Sequence, residues 1–142
     1  MALFKFETFM KIFYTLILFF TINSCISQNN ELVITYQAFS RGSSIKIETD
    51  LDSIGYHNNN EYKKVELNYQ HQKEIKNLLS QINIVELGNL KIPSTKSYSD
   101  AALQASFKVI SGEKTYKTQT FDHGNPPKKL KAIIEKLFEI VK

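Results

Sequence analysis

The chain has 142 residues, a formal net charge of +4 at pH 7, 42% hydrophobic residues and one cysteine. This length suits one domain and is too short for two ordinary ones. The basic residues are spread along the chain without a nucleic-acid-binding motif, so a nucleic-acid partner is not expected.

The first 24 residues have the pattern of an export signal. Lys11 precedes an apolar run over residues 12–22, and the small Ser24 ends the stretch. A run of this length is too short for a helix that crosses a bilayer, which needs about 20 apolar residues, but it suits the core of a secretory signal. Met10, directly before Lys11, is a second possible start of translation. From the basic residue, the apolar run and the small residue that follows it, we predict that residues 1–24 are a signal peptide that is removed.

The only cysteine comes directly after this segment. The stretch Ile22-Asn23-Ser24-Cys25 resembles the lipobox of bacterial lipoproteins, in which an aliphatic, a variable and a small residue precede the modified cysteine. The resemblance implies acyl chains on Cys25, and each buried methylene of such chains contributes about 0.8 kcal/mol to membrane anchoring. The alternatives are a plain signal peptide with an incidental cysteine and an uncleaved anchor. No aspartate follows Cys25, so we expect attachment to the outer membrane facing the periplasm, with exposure at the cell surface as the second option.

After the lipidated cysteine and polar tether of residues 25–31, residues 32–142 are interpreted as a single domain. Alternating apolar and polar residues predict three strands, the last of them short, over residues 32–38, 45–51 and 53–56. The first two are separated by turn residues, Ser40–Ser43. Whether residues 64–67 form a further strand is left open by the pattern.

The second half of the chain alternates helix and strand patterns. Asn68 is placed to cap a helix over residues 69–82, and residues 84–92 have the pattern of a packed connection. A second hairpin is predicted from strands over residues 103–109 and 115–121. Asn125 as cap and Pro126 in the first turn then start a last helix. This order predicts an α+β fold, with an antiparallel sheet of four to five strands and two helices packed on one face.

The most distinctive segment is Phe121–Pro127, with the sequence FDHGNPP. Asp122 next to His123 could supply an acid/base pair or ligands for a metal or a partner. Asp, Gly, Asn and Pro are also the residues that a strand-to-helix turn requires, and an aspartate near a helix N-terminus is stabilised by the helix dipole. The turn does not need an imidazole, so His123 is the part of the segment that turn formation leaves unexplained.

Arg41 is the only arginine among the 18 basic residues. Its planar fork of donors, placed at a hairpin tip beside Gly42, could bind a partner's carboxylate, whereas the simpler explanation is an exposed turn in a lysine-rich chain. The three histidines show no metal-ligand spacing, and no phosphate-binding loop or dinucleotide fingerprint occurs. We therefore expect no metal, no cofactor and no catalytic residue.

The segment Phe121–Pro127, followed by a closing amphipathic helix, resembles a set of small, mostly uncharacterised bacterial lipoproteins. The layout of hairpin, helix, hairpin and helix is also loosely similar to emfourin-type inhibitors of thermolysin-like metalloproteases. In those proteins a glycine-rich segment follows the first strand, and the matching place here holds Ser40–Ser43 with a single glycine.

Three functions follow as hypotheses. The first is a lipid-anchored, non-enzymatic envelope protein that binds another protein or an envelope polymer, with Arg41, Gly42, Asp122 and His123 as candidate binding residues. The second is an inhibitor of an envelope or secreted protease that acts through the Ser40–Ser43 loop. The third is a hydrolase that uses Asp122 and His123.

Overall fold

The computed structural model describes residues 31–93 and 103–142, and the predicted signal peptide, Cys25 and most of the tether lie outside these ranges. The strands are β1 (Leu32–Ser40), β2 (Ser43–Thr49), β3 (Ser53–Asn58), β4 (Glu61–Glu66), β5 (Gln104–Ser111), β6 (Lys114–Lys117) and β7 (Phe121–Asp122). The α-helices are α1 (Tyr69–Ser80) and α2 (Lys131–Val141), and shorter 3-10 helices lie at Ile84–Asn89 and Lys128–Leu130. None of the helices in the described residues has the length and apolar character needed to cross a membrane.

The strands form one antiparallel sheet. Their order is β4-β3-β2-β1-β5-β6, and β7 pairs with β5 along the same edge as β6. Tyr36, near the middle of β1, lies between Ile47 of β2 and Phe107 of β5. Because successive residues of a strand project to opposite faces, residues directly across from one another share a face, and this register assigns every strand residue to one of the two faces.

The face that carries Tyr36 forms the hydrophobic core with the helices. Ile34, Tyr36 and Ala38 of β1 are each at most 1% exposed on this face. The helices contribute buried apolar residues to the same cluster, namely Ile75 and Leu79 of α1 and Ile133, Ile134, Leu137 and Val141 of α2. The opposite face carries mainly polar residues, and Phe39 of β1, which lies on that face, is 52% exposed.

Both helices are fixed by polar contacts as well as by packing. The Asn68 side chain caps α1 as predicted, since its Oδ1 accepts a hydrogen bond from the backbone N–H of His71 at 2.8 Å. Lys136 of α2 forms a salt bridge with Glu74 of α1, with 2.9 Å between Nζ and Oε2. The two helices therefore pack on the sheet as a connected pair.

The α+β class with two helices on the sheet is confirmed, but the sheet has seven strands instead of four to five. The segment left open at residues 64–67 belongs largely to β4. The predicted strand over residues 115–121 is divided into β6 and β7. Between them, the side chain of Thr118 takes the place of a backbone acceptor: its Oγ1 accepts a hydrogen bond from the N–H of Phe107 at 3.0 Å. The backbone N–H of Thr118 in turn donates to the Phe107 carbonyl at 2.9 Å.

The start of the last helix was predicted incorrectly. Asn125 does not cap it; its backbone N–H donates to the Asp122 carbonyl at 2.9 Å within a turn. Helical structure begins directly after Pro127, with the 3-10 helix Lys128–Leu130. A residue that precedes proline is biased toward extended backbone. Asn125 precedes Pro126, and Pro126 precedes Pro127, so neither favours a helical start.

Candidate binding groove

A groove runs along one side of α2, over the face of the sheet that carries the core. Its helical wall is a stripe at the spacing of an α-helix, formed by Lys131, Ile134, Glu135, Phe138, Glu139 and Lys142. The other wall is formed by Tyr36 of β1 and by His123, Gly124 and Pro126 of the turn after β7. The space between these walls has a volume of about 630 Å³.

Tyr36 and His123 form the polar centre of this groove. The Tyr36 hydroxyl oxygen lies 2.7 Å from Nδ1 of His123. The backbone N–H of His123 donates to the Leu103 carbonyl at 2.9 Å, which fixes the turn against the start of β5. Phe138 of α2 contacts both rings edge-on, with ring centroids 5.3 Å from Tyr36 and 6.1 Å from His123. Strand, turn and helix thus each contribute one ring to a single aromatic cluster.

Burial keeps both polar rings of this cluster neutral. It raises the pKa of the Tyr36 phenol well above its usual range, because a phenolate would lose its hydration. Burial also lowers the pKa of His123 below the ordinary imidazole value, because it disfavours the imidazolium. At neutral pH the pair is therefore a phenol hydrogen-bonded to a neutral imidazole.

A second cavity, of about 670 Å³, lies toward the end of α2. Phe138 and Lys142 also line this cavity, together with Val141 and residues of β3 and β4: Tyr56, Glu61, Tyr62 and Lys63. Lys63 donates a hydrogen bond from Nζ to the Val141 carbonyl at 2.9 Å. A lysine at this position satisfies a terminal carbonyl and is favourable to the negative end of the helix dipole. The wall of the second cavity is thus tied to the helix.

Arg41 and Gly42 lie at the tip of the β1–β2 hairpin, and both are exposed. Gly42 has a φ of 85°, which a glycine adopts without steric cost. Phe39 pairs with Gln104, which in turn pairs with Asp122, so the hairpin tip and the His123 turn lie at the same end of the sheet. Leu32, where the tether enters β1, is at the opposite end. Among the described residues Arg41 is not part of the groove wall.

The structure separates the side chains of Asp122 and His123. Asp122 pairs with Gln104, which places it on the face of the sheet opposite the helices. Phe121 pairs with Ala105 on the core face. His123 follows beyond the strand and turns to the same side, where it meets Tyr36. Asp122 is 8% exposed and does not line the groove.

Sequence reasoning identified His123 but missed Tyr36 and Phe138. Both are apolar-patterned positions, in an alternating strand and an amphipathic helix, and such positions are normally part of the core. A weak signal existed in α2, where Lys131, Glu135 and Phe138 form one stripe beside the fully apolar one. Among the described residues no group of three or more His, Cys, Asp and Glu side chains is arranged to hold a metal ion.

Comparison with known proteins does not assign the chain to a family. A scan against models of known protein families gives no match for the chain, and a search of curated proteins gives none either. The groove is therefore interpreted from its own residues and contacts.

Proposed function

We propose that this chain is an exported lipoprotein, anchored in the cell envelope by lipid on Cys25, whose domain is a non-enzymatic module that binds a protein partner. The observation that carries the proposal is the groove along α2, with apolar residues and a Tyr36–His123 pair between charged rims. Concave sites with apolar walls and a few converging polar groups are typical of ligand binding. The groove lies toward the end of the sheet opposite the tether, where a partner could approach an anchored domain.

The arrangement of the polar groups favours binding over catalysis. A histidine that acts as general base is commonly oriented by a carboxylate, but Asp122 projects from the other face of the sheet. The hydroxyl next to His123 belongs to Tyr36, whose raised pKa makes it a poor nucleophile at neutral pH. The hydrolase hypothesis therefore has less support than the binding module.

The anchor is tested by metabolic labelling with radioactive palmitate in a bacterial host. We expect label on the wild-type protein and none on Cys25→Ala, which should also leave the membrane fraction. Ser27→Ala is the matched control, because it changes a residue close to the cysteine and keeps the thiol. Equal labelling of wild type and Cys25→Ala would reject lipidation at this position.

The binding module is tested by selecting displayed peptides on the immobilised protein. Glu135→Trp places a bulky side chain at an exposed position of the groove wall, and we expect it to abolish capture of the selected peptides. Ala132→Trp is the matched control, since Ala132 is exposed on α2 without lining the groove. Peptides that bind both variants equally, or no enrichment in any round, would reject the groove as the binding site.

The exposed hairpin supports protease inhibition as a second candidate. Arg41 projects from a tight turn at the end of the domain opposite the tether, as a loop that enters a protease cleft must do. The test is residual activity across a panel of metalloproteases at tens of micromolar inhibitor, with Arg41→Ala as the comparison. No inhibition by the wild type would exclude this function for that class.

A further inference from the structure

We propose that the groove takes a short, uncharged, extended peptide segment, and that Tyr36 holds His123 as an Nε2–H donor for a backbone carbonyl of that segment while Ile134 and Phe138 contact an apolar side chain. The inference rests on the proposed binding function and specifies the chemistry of its ligand. In this assignment His123 contacts the ligand, and Tyr36 is a positioning residue.

The tautomer of His123 follows from the burial of Tyr36. Tyr36 is 1% exposed, and in the described residues its hydroxyl has one hydrogen-bond partner, Nδ1 of His123. If Nδ1 carried the proton, the hydroxyl proton of Tyr36 would be buried without an acceptor, which costs about 1–3 kcal/mol. The hydroxyl therefore donates to Nδ1, and a neutral imidazole must then carry its proton on Nε2.

The donor on Nε2 is available to a ligand. Within residues 31–93 and 103–142, the hydrogen bond of the ring is made through Nδ1 alone, and the ring lines the groove. His123 is only half-buried and lines the cavity, and the proposal assigns its second nitrogen to the ligand. A fixed donor beside apolar residues selects ligands that place an acceptor next to an apolar group.

The length of the groove suits an extended chain. The helical stripe from Lys131 to Lys142 extends over about 16 Å, at about 1.5 Å per residue. An extended peptide rises about 3.3 Å per residue, so about five residues match this length. Phe138 belongs to this stripe and also lines the second cavity, which places one apolar ring beside such a segment.

The charges along the rim select against a charged ligand. The first cavity carries two lysines, Lys131 and Lys142, and two glutamates, Glu135 and Glu139. Lys131 and Glu135 lie 3.9 Å apart, and Glu139 forms a salt bridge with Lys136 at 3.1 Å. The two lysines and two glutamates of the lining cancel in formal charge, so the lining as a whole favours neither a terminal carboxylate nor an ammonium group. A peptide carbonyl is the acceptor that matches this balance.

The first experiment measures the tautomer directly and needs no ligand. Residues 25–142 carrying Cys25→Ser keep every described residue, and long-range ¹H–¹⁵N spectra at neutral pH distinguish a protonated from an unprotonated ring nitrogen. We expect His123 of this protein to carry its proton on Nε2, and Tyr36→Phe to give a mixture of tautomers. His57 and His71 serve as internal references. A proton on Nδ1 of His123 in the protein with Tyr36 would overturn the inference.

The second experiment measures binding of a defined probe, acetyl-Ala-Ala-Leu-Ala-Ala-amide, by titration of backbone amide signals. His123→Phe keeps a ring in the cluster and removes the donor, so we expect affinity to fall about five- to tenfold, as loss of one hydrogen bond implies. Tyr36→Phe should cause a smaller loss, because part of the population keeps the Nε2–H tautomer. The matched probe without leucine, acetyl-pentaalanine-amide, should bind more weakly.

The outcomes separate this inference from the proposed function. Groove-dependent capture of displayed peptides with equal probe affinity for wild type and His123→Phe would overturn the inference and leave the binding module standing. Tighter binding of the same pentapeptide with a free carboxylate would overturn the choice of an uncharged ligand. If no peptide binds in the groove in either assay, both this inference and the proposed binding module fail. Should His123→Phe not fold, the tautomer measurement still decides.

Discussion

The Tyr36 hydroxyl and Nδ1 of His123 lie 2.7 Å apart, although 87 positions separate them in the sequence. The contact joins the central strand to the turn before α2, and Phe138 packs against both rings. Because the site and the core share these side chains, the protonation of His123 is coupled to the stability of the fold.

The first prediction is a loss of stability as the pH falls. The pKa of folded His123 is lowered by burial, whereas the unfolded chain has the ordinary imidazole pKa of 6.5. Between these two values the unfolded state binds more protons, so the free energy of unfolding decreases as the pH drops below about 6.5. Above that value the contribution of the neutral ring is fully present. Urea denaturation at a series of pH values measures the effect.

The control for this prediction is the difference between variants. Carboxylates such as Glu74 also titrate in acid, and its pKa is lowered by a hydrogen bond from Lys136, so the wild-type curve alone does not isolate His123. Near the ordinary imidazole pKa, at about pH 6, we expect the free energy of unfolding of His123→Phe to depend less on pH than that of the wild type. His57→Phe, which replaces a histidine on the other face of the sheet, is measured alongside as the comparison. Parallel curves for wild type and His123→Phe would contradict the coupling.

The second prediction concerns Thr118, which divides the last strand. Its hydroxyl accepts the N–H of Phe107 at 3.0 Å, and the residue is 5% exposed. Thr118→Val keeps the shape and removes the acceptor, so a buried N–H is left unpaired at a cost of about 1–3 kcal/mol in the free energy of unfolding. Thr118→Ser keeps the hydroxyl and should cost less than Thr118→Val. If serine and valine were equally destabilising, the hydroxyl would not be the stabilising group.

Local patterns predicted the elements that depend on local signals. Alternation located β1, β2 and β5, and the Asn68 cap located α1, because these features depend on neighbouring residues. The edge strand β4 was not recognised as a whole, since Glu61–Glu66 has few apolar residues and its Lys63 faces the end of α2. Charged residues are common on edge strands because they discourage pairing with other chains. In β4 these charged residues hide the alternating pattern that identifies a strand.

The candidate site could be predicted only in part, for the same physical reason. His123 was identified because the formation of a turn does not require an imidazole. Its partner Tyr36 is indistinguishable in sequence from a core residue, and their contact depends on the pairing of β1 with β5 and of β5 with β7. Such long-range register is set by the folded sheet and not by residues adjacent in the chain. Asp122, one residue from His123, was separated from it by the same alternation of faces.

The third prediction tests the connection after α1, which the sequence pattern described as packed. Leu87 is fully buried in the 3-10 helix Ile84–Asn89, whereas Val85 in the same helix is 69% exposed. Leu87→Ala should lower the free energy of unfolding by about 2–5 kcal/mol, because it removes buried methyl groups and leaves a cavity. Val85→Ala should change it by less than about 0.5 kcal/mol. Similar values for both would show that this segment does not pack on the core. Chemical denaturation gives both numbers.

The fourth prediction concerns Gly42 at the hairpin tip. Its φ of 85° lies in the left-handed region, and a Cβ built at this position meets no atom within 4 Å. Gly42→Ala should therefore be destabilising through the backbone alone, by about 1–2 kcal/mol in urea denaturation. Gly88→Ala is the matched control: its φ is not in that region and its Cβ would lie 3.6 Å from the Lys117 carbonyl oxygen, an ordinary contact. That variant should change stability by less than about 0.5 kcal/mol. Equal effects of the two alanines would mean that the backbone conformation at Gly42 is not what requires glycine.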